Sequence, residues 1–306
     1  MKKIFILIFF ICFYFIFSFN GCAGMAASAE EYYSIGMAYF NLGRYEEAEI
    51  WLNRAKQADK TMVASTYNLG RLAFEMKRYD EAAAYFEEIL KIDPDNILAL
   101  KAASYSRIKT GDLIIADNHY TRLLKLIPES ADDGYNHALV LYAMGQYSGA
   151  ESILERYPFS LLENRDSMLL YARSQKAQNK IEAVNSYASL LNLSSDPLAR
   201  FEYAQVLEYH EIYARAIEEY RQSHSETQAS AVNPSRSEIR FAISRALLIA
   251  DSESHNGITE LENAVNEGFN DIDSIGSLLQ INNISAENSN SIRIIINDLL
   301  HSDNSG

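Results

Sequence analysis

The residues of this 306-residue chain that could do chemistry are few and badly spaced for it. Six histidines stand at 119, 137, 210, 224, 255 and 301. A helical zinc-protease site needs two of them on one face with a glutamate between. The stretch HEIYA, starting at His210, lacks the second histidine. The acid pairs Glu46-Glu47 and Asp80-Glu81 could supply a general acid and a base. Each opens what reads as a helix, however, where carboxylates face water and complement the helix N-terminus. Gly36 and Gly43, followed by Arg44, make no phosphate loop, and no Gly-x-Ser-x-Gly occurs. The expectation is a non-catalytic protein that uses no metal and no organic cofactor.

The cysteines lie at the N-terminus. Lys2 and Lys3 precede an apolar run from Ile4 to Phe19, and Asn20-Gly21-Cys22-Ala23-Gly24 follows. These sixteen residues, all apolar but Ser18, form about 24 Å of helix, short of a ~30 Å hydrocarbon core. Residues 1–21 therefore read as an export signal, of lipoprotein type or, with Cys22 incidental, an ordinary secretory signal or uncleaved anchor. Cys22, directly after a small residue, resembles the lipobox of bacterial lipoproteins. That resemblance implies cleavage before Cys22, diacylglycerol on its sulfur, and a short tether over 22–28. Ala23, where some bacteria use aspartate for inner-membrane retention, points to the outer membrane, facing the periplasm. Cys12 would leave with the signal, so the mature chain would hold one thiol and no internal disulfide.

Composition decides what must position any site. Hydrophobic residues make up 48% of the chain, with only 5 prolines and 13 glycines, a balance that favours helices. The net charge of −14 repels nucleic acid, which is excluded as a partner.

The helices repeat. RYEEAEIWL at 44–52 and RYDEAAAYF at 78–86 begin 34 residues apart. The same step joins Gly36 to Gly70, Gly43 to Lys77, Tyr45 to Tyr79, Ala48 to Ala82, and Pro94 to Pro128. It continues through Gly111, Leu113, Ala116 and Tyr120 to Gly145, Tyr147, Ala150 and Leu154, then with a slip to 33 through Ala183, Tyr187, Tyr213, Ala216 and Tyr220. The fifth unit fits least, with Tyr171 and Lys180 where a small and an aromatic residue are expected. Within a unit, Tyr32, Ile35, Gly36 and Tyr39 share one helical face, and Tyr45, Ala48, Leu52 and Ala55 share another after a turn at 41–44. Small residues at 36 and 48 let the two helices approach.

Spacing, glycine, alanines, aromatics and terminal proline together resemble the tetratricopeptide repeat. The resemblance implies an all-α fold, a right-handed α-solenoid of about six hairpins over 29–226. After a loop at 227–238, a divergent seventh hairpin and capping helices are expected over 239–301. Helices are expected there at 239–251, 258–267, 272–280 and 287–301, and 302–306 read as a disordered tail.

In that family the concave face is built by fixed positions of each first helix. Carried over, it would comprise Tyr33, Met37, Phe40 and Asn41, then Tyr67, Arg71, Phe74 and Glu75, then Lys101, Tyr105 and Lys109. Further along it would comprise Tyr135 and Tyr142, then Arg165, Met168 and Lys176, then Phe201 and Tyr209. Tyr32, Tyr39, Tyr45, Tyr79, Tyr147 and Tyr213 are expected to pack instead. The resulting expectation is a membrane-anchored scaffold of the bacterial envelope that binds a protein or an extended peptide. The rivals are a structural or assembly component of an outer-membrane complex, including a homo-oligomer, and an accessory subunit of a periplasmic solute-transport system.

Overall fold

A computed structural model of the protein describes residues 28–157 and 164–303. Residues 1–21, expected as a signal, Cys22, the expected tether apart from Ser28, Pro158 and residues 304–306 lie outside the described residues. Among the described residues there are sixteen α-helices, one short 3-10 helix and no strand. The fold is an α-solenoid of helical hairpins.

The chain divides into two units, one ending at Pro128 and one beginning at Glu129. The first contains three hairpins: α1 (Ala29–Asn41) with α2 (Tyr45–Ala58), α3 (Val63–Glu75) with α4 (Tyr79–Ile92), and α5 (Ile97–Thr110) with α6 (Leu113–Leu126). The second contains α7 (Ala131–Ala143) with α8 (Tyr147–Leu154), α9 (Arg165–Ala177) with α10 (Ala183–Leu193), and α11 (Pro197–Tyr209) with α12 (Tyr213–Glu226). Then come α13 (Arg236–Ala250), α14 (His255–Asn266), α15 (Ile272–Ser277), a 3-10 turn at Leu278–Gln280, and α16 (Ala286–Asp303). The last helix thus runs into the segment expected as a tail.

Local chemistry starts these helices. Ser28 and Glu31 form a capping box at α1, and Ser235 and Glu238 form another at α13. Asp196 caps α11, whose first residue, Pro197, has no N–H to leave unsatisfied. Between the two helices of each repeat, one residue adopts a left-handed conformation. It is Gly43, Lys77, Gly111, Gly145, Asn179 and Glu211 in turn. Lys77 therefore stands in the series opened by Gly43 because it holds the same backbone conformation.

Small residues set the approach of each pair. A Cβ on Gly36 would lie 2.8 Å from Leu52 Cγ, and one on Gly70 would lie 2.7 Å from the Phe86 ring. In the third hairpin Ser104 takes this place, fully buried, its hydroxyl donating to the Leu100 carbonyl at 2.7 Å. In the fourth, Ala138 is fully buried and the closest approach moves one turn upstream. A Cβ on Gly134 would lie 2.1 Å from the Tyr157 ring.

The fifth hairpin corrects the expected register. Its small residue is Ala172, fully buried and one 34-residue step beyond Ala138. Tyr171 lies beside it, half-buried, its hydroxyl donating to Glu155 at 3.1 Å. The missing residue belongs to the turn between Asn179 and Ala183, so α9 keeps the longer step and only α10 is displaced.

The cores follow from this packing. Tyr187, Tyr203 and Tyr220 are buried together with Leu190, Leu207 and Ile239. At the C-terminus, Leu248, Leu261, Phe269, Ile275, Leu278 and Ile292 form a separate cluster in which α16 covers α14 and α15. A hairpin stack leaves an apolar face at its end, and this cluster closes it.

Candidate functional site

The residues carried over from the repeat resemblance sit on the first helices of successive hairpins, and none is fully buried. In the first unit they form a connected surface. Asn68 donates its amide to the Tyr33 hydroxyl at 3.0 Å and accepts from Arg71 at 3.0 Å. The Arg71 guanidinium lies over the Phe40 ring, 4.9 Å from its centre. This links α1 to α3. Phe74 lies 5.3 Å from Tyr105, and Lys109 lies over the Tyr105 ring at 5.2 Å, which links α3 to α5. Asn68 joins these residues on the same surface. The sequence places this amide directly after Tyr67 and one helical turn before Arg71, where it can bridge two side chains of this face.

Part of this surface also holds the hairpins together. Phe40, Phe74 and Tyr142 each pack at an angle against the tyrosine that opens the following helix, Tyr45, Tyr79 and Tyr147, with ring centres 5.8, 5.1 and 5.1 Å apart. Tyr33, Met37 and Phe40 pack on the cluster of Leu52 and Leu69, and Tyr67 lies 5.4 Å from the buried Phe86. Arg71, Tyr105 and Lys109 are exposed, as are Asn41 and Glu75. Their side chains are therefore free to meet a partner. Lys101 is half-buried.

In the second unit the same positions have diverse surroundings. Tyr135 and Tyr142 are half-buried, and burial raises both phenols above their usual value. Met168 and Phe201 pack on the buried tyrosine cluster, with Phe201 5.4 Å from Tyr220. Arg165 is ion-paired with Asp196. Its charge is thus neutralised within the protein, so it offers little to a ligand.

Lys176 and Tyr209 differ. Both line a recess of about 480 Å³, together with Gln205, Val206, Arg245 and Ile249. Lys176 donates to the Gln205 side-chain oxygen at 2.5 Å, and burial depresses its pKa against a partial offset from Glu202. Tyr209 is 61% exposed, with its ring edge-on to His210. Arg245 makes a two-pronged ion pair with Glu208 at 2.8 and 2.9 Å. Arg245 was not legible as a site residue, because α13 lies beyond the point where the sequence register blurs, and Gln205 falls on α11 between the carried-over positions Phe201 and Tyr209.

The acid pairs Glu46-Glu47 and Asp80-Glu81 open α2 and α4, where Glu47 binds Arg44 and Glu81 binds Arg78 at 3.0 Å. His119 and His224 lie beside Glu87 and Glu267 at 3.7 and 3.2 Å. Among the described residues no three His, Cys, Asp or Glu side chains are placed to hold a metal ion. No helix there is long and apolar enough to cross a membrane.

No curated protein is significantly similar to the chain in sequence. A tetratricopeptide-repeat family matches residues 26–95, and a second matches 132–153. Among solved structures, a tetratricopeptide repeat protein from Parabacteroides merdae is 18% identical with a TM-score of 0.53. The match covers 83% of this chain and 98% of that one. MamA from Desulfovibrio magneticus is 17% identical with a TM-score of 0.50, over 56% of this chain and 97% of its own. YrrB, described as a tetratricopeptide-repeat protein with an unusual peptide-binding site, is 18% identical with a TM-score of 0.50. That match covers 57% of this chain and 91% of its own. Residues 26–95 and 132–153 thus match tetratricopeptide-repeat families, and the described residues fold as an all-helical solenoid.

Proposed function

We propose that the protein is a membrane-anchored scaffold of the bacterial envelope that binds an extended peptide segment of another protein. The observation that supports this best is the connected run Tyr33, Asn68, Arg71, Phe40 and Phe74, Tyr105, Lys109 across three first helices. Aromatic rings give large contact area at low entropic cost, and Arg71 and Lys109 engage rings rather than carboxylates. Acidic and apolar side chains of a peptide fit such a surface on an otherwise acidic molecule. The peptide-binding description of YrrB, which shares the fold, supports the same reading. The lipid on Cys22 would hold the scaffold at the outer membrane and raise its local concentration near envelope partners.

The test uses the full chain to select peptides from a displayed random library, followed by fluorescence anisotropy on the selected sequences. Tyr67 is a poor probe, because its loss would open the core at Phe86. The double variant Arg71→Ala, Tyr105→Ala removes only exposed side chains. It is expected to weaken binding about tenfold with an unchanged circular dichroism spectrum. Failure to select any peptide overturns the proposal, and undiminished binding by the variant removes this face from it.

A further inference from the structure

The element that ends a stack of hairpins needs a polar outer face to stay in solution. The C-terminal helices depart from that rule. α14 and α16 flank an open groove of about 510 Å³. α16 lines it at 291, 294, 295, 298 and 299, and α14 lines it at 262, 265 and 266. Each set keeps the three- and four-residue spacing of one helical face. These are not the positions that carry Leu261 and Ile292 into the core. The floor of the groove is nevertheless apolar: Ile294 is 51% exposed, and Val265, Ile295 and Leu299 are half-buried. Apolar surface left in water where two helices meet is surface that a further element can bury.

The rims carry charge of one sign. Glu262 on α14 and Asp298 on α16 both line the groove and are both exposed. Elsewhere on α14, Glu260 and Glu267 are held by Arg240 at 2.8 and 2.7 Å. Glu262 and Asp298 have no ion pair among the described residues. Residues 255–303 hold eight side-chain carboxylates against one arginine, Arg293, which does not line the groove.

We infer that this groove seats an amphipathic helix of a partner protein. Its apolar stripe lies on Val265, Ile294, Ile295 and Leu299, and Lys or Arg side chains flanking the stripe meet Glu262 and Asp298. Two adjacent helices leave a channel that a third fills, ridge into groove. An extended segment would bring backbone N–H and C=O groups against an apolar floor, whereas a helix arrives with its own satisfied. From Ser291 to Leu299 the wall is about 12 Å long at ~1.5 Å per residue, which two turns of the incoming helix span with anchors at i, i+3, i+4 and i+7. Charge selects among helices. A second copy of the chain brings a net charge of −14, and anionic lipid headgroups meet the same repulsion. A helix with cations beside its stripe gains at both rims, and one with acids there is rejected. The groove lies beyond the repeats, apart from the first-helix face proposed above for an extended segment, and does not depend on it.

The full-length protein is used to select from a displayed library of helix-forming peptides that share one apolar stripe and carry Lys, Arg, Gln or Glu at random beside it. The selected sequences are expected to be rich in Lys and Arg on both flanks and to gain helicity on binding. Anisotropy on the tightest of them then compares variants. Ile294→Gln is expected to weaken binding about tenfold. Glu262→Gln with Asp298→Asn is expected to weaken it about fivefold and to flatten its dependence on salt. All three side chains are exposed, so the circular dichroism spectrum of the protein should not change. Selected peptides with no excess of cations overturn the inference, as does a failure to select any. Binding that Ile294→Gln leaves undiminished overturns it too. If that binding is lost instead in Arg71→Ala, Tyr105→Ala, the peptide sits on the first-helix face and only the scaffold reading stands. A dimer in light scattering that Ile294→Gln dissociates would put a second copy in the groove, and the inference would fail.

Discussion

At the scale of the residue, the turn within each hairpin sets the most exacting demand. Six successive turns require a left-handed residue, and glycine fills three of them. Lys77, Asn179 and Glu211 accept the strain that their Cβ atoms bring. A non-glycine residue in this region costs about 1–2 kcal/mol, and glycine returns about 0.5–1 kcal/mol of that through its greater freedom when unfolded. Lys77 is exposed, so no packing opposes its replacement. Lys77→Gly is expected to stabilise the protein by roughly 0.5–1 kcal/mol, read as a higher urea midpoint with an unchanged slope. The opposite demand applies at Gly134, where any Cβ would enter the Tyr157 ring. Close packing rather than chain conformation keeps that glycine.

At the scale of the element, hairpins are joined by charge as well as by apolar contact. Glu87 is bound by Arg107, Glu151 by Lys180, Gln178 and Gln175, and Glu267 by Arg240 and His224. Burial works against ionisation at each of these carboxyls, but the hydrogen bonds and opposite charges outweigh it and hold each below its ordinary value of 4.5. The unfolded chain therefore takes up protons at a higher pH than the folded one. The stability these groups provide is present above about pH 4.5 and is lost as the pH falls through the lower folded values. Urea midpoints are expected to be level near neutrality and to drop steeply below pH 4.5. Glu151→Gln should be less stable at pH 7, with a shallower acid slope. An acid slope equal to that of the wild type would remove Glu151 from this account.

At the scale of the whole molecule, what attaches the protein decides where its binding faces can act. Cys22 follows Gly21 just past the apolar run Ile4 to Phe19, and under the anchoring proposed above it would be the only thiol of the mature chain. Cys22→Ala is expected to abolish metabolic labelling with palmitate and to release the protein from the membrane fraction. Labelling that survives the substitution would return the leader to an ordinary signal or anchor. Net charge acts at this scale too. At −14 the molecule attracts cations on average, so recognition of an acidic partner depends on local exceptions such as Arg71, Lys109 and Lys176.

The sequence by itself determined the helical hairpins and their period. Those depend on contacts within a hairpin or to the next one, and small and aromatic residues at positions such as Gly36, Ala48, Gly70 and Ala82 mark them directly. It also located the first-helix positions of the candidate face. Only the tertiary structure decided which of those side chains keep an unmatched charge. Arg165 is neutralised by Asp196, Arg71 lies on Phe40, and Lys176 donates to the neutral Gln205 with Glu202 nearby. It likewise moved the fifth-hairpin slip into the turn after Asn179 and brought Arg245 to the recess beside Tyr209. Partners such as Arg165 and Asp196, or Arg245 and Glu208, lie about one repeat apart in the chain and meet across stacked hairpins. A repeating pattern fixes where such positions lie. Which side chain each one meets depends on the individual neighbour, because ion pairing is decided by distance in space and not by register.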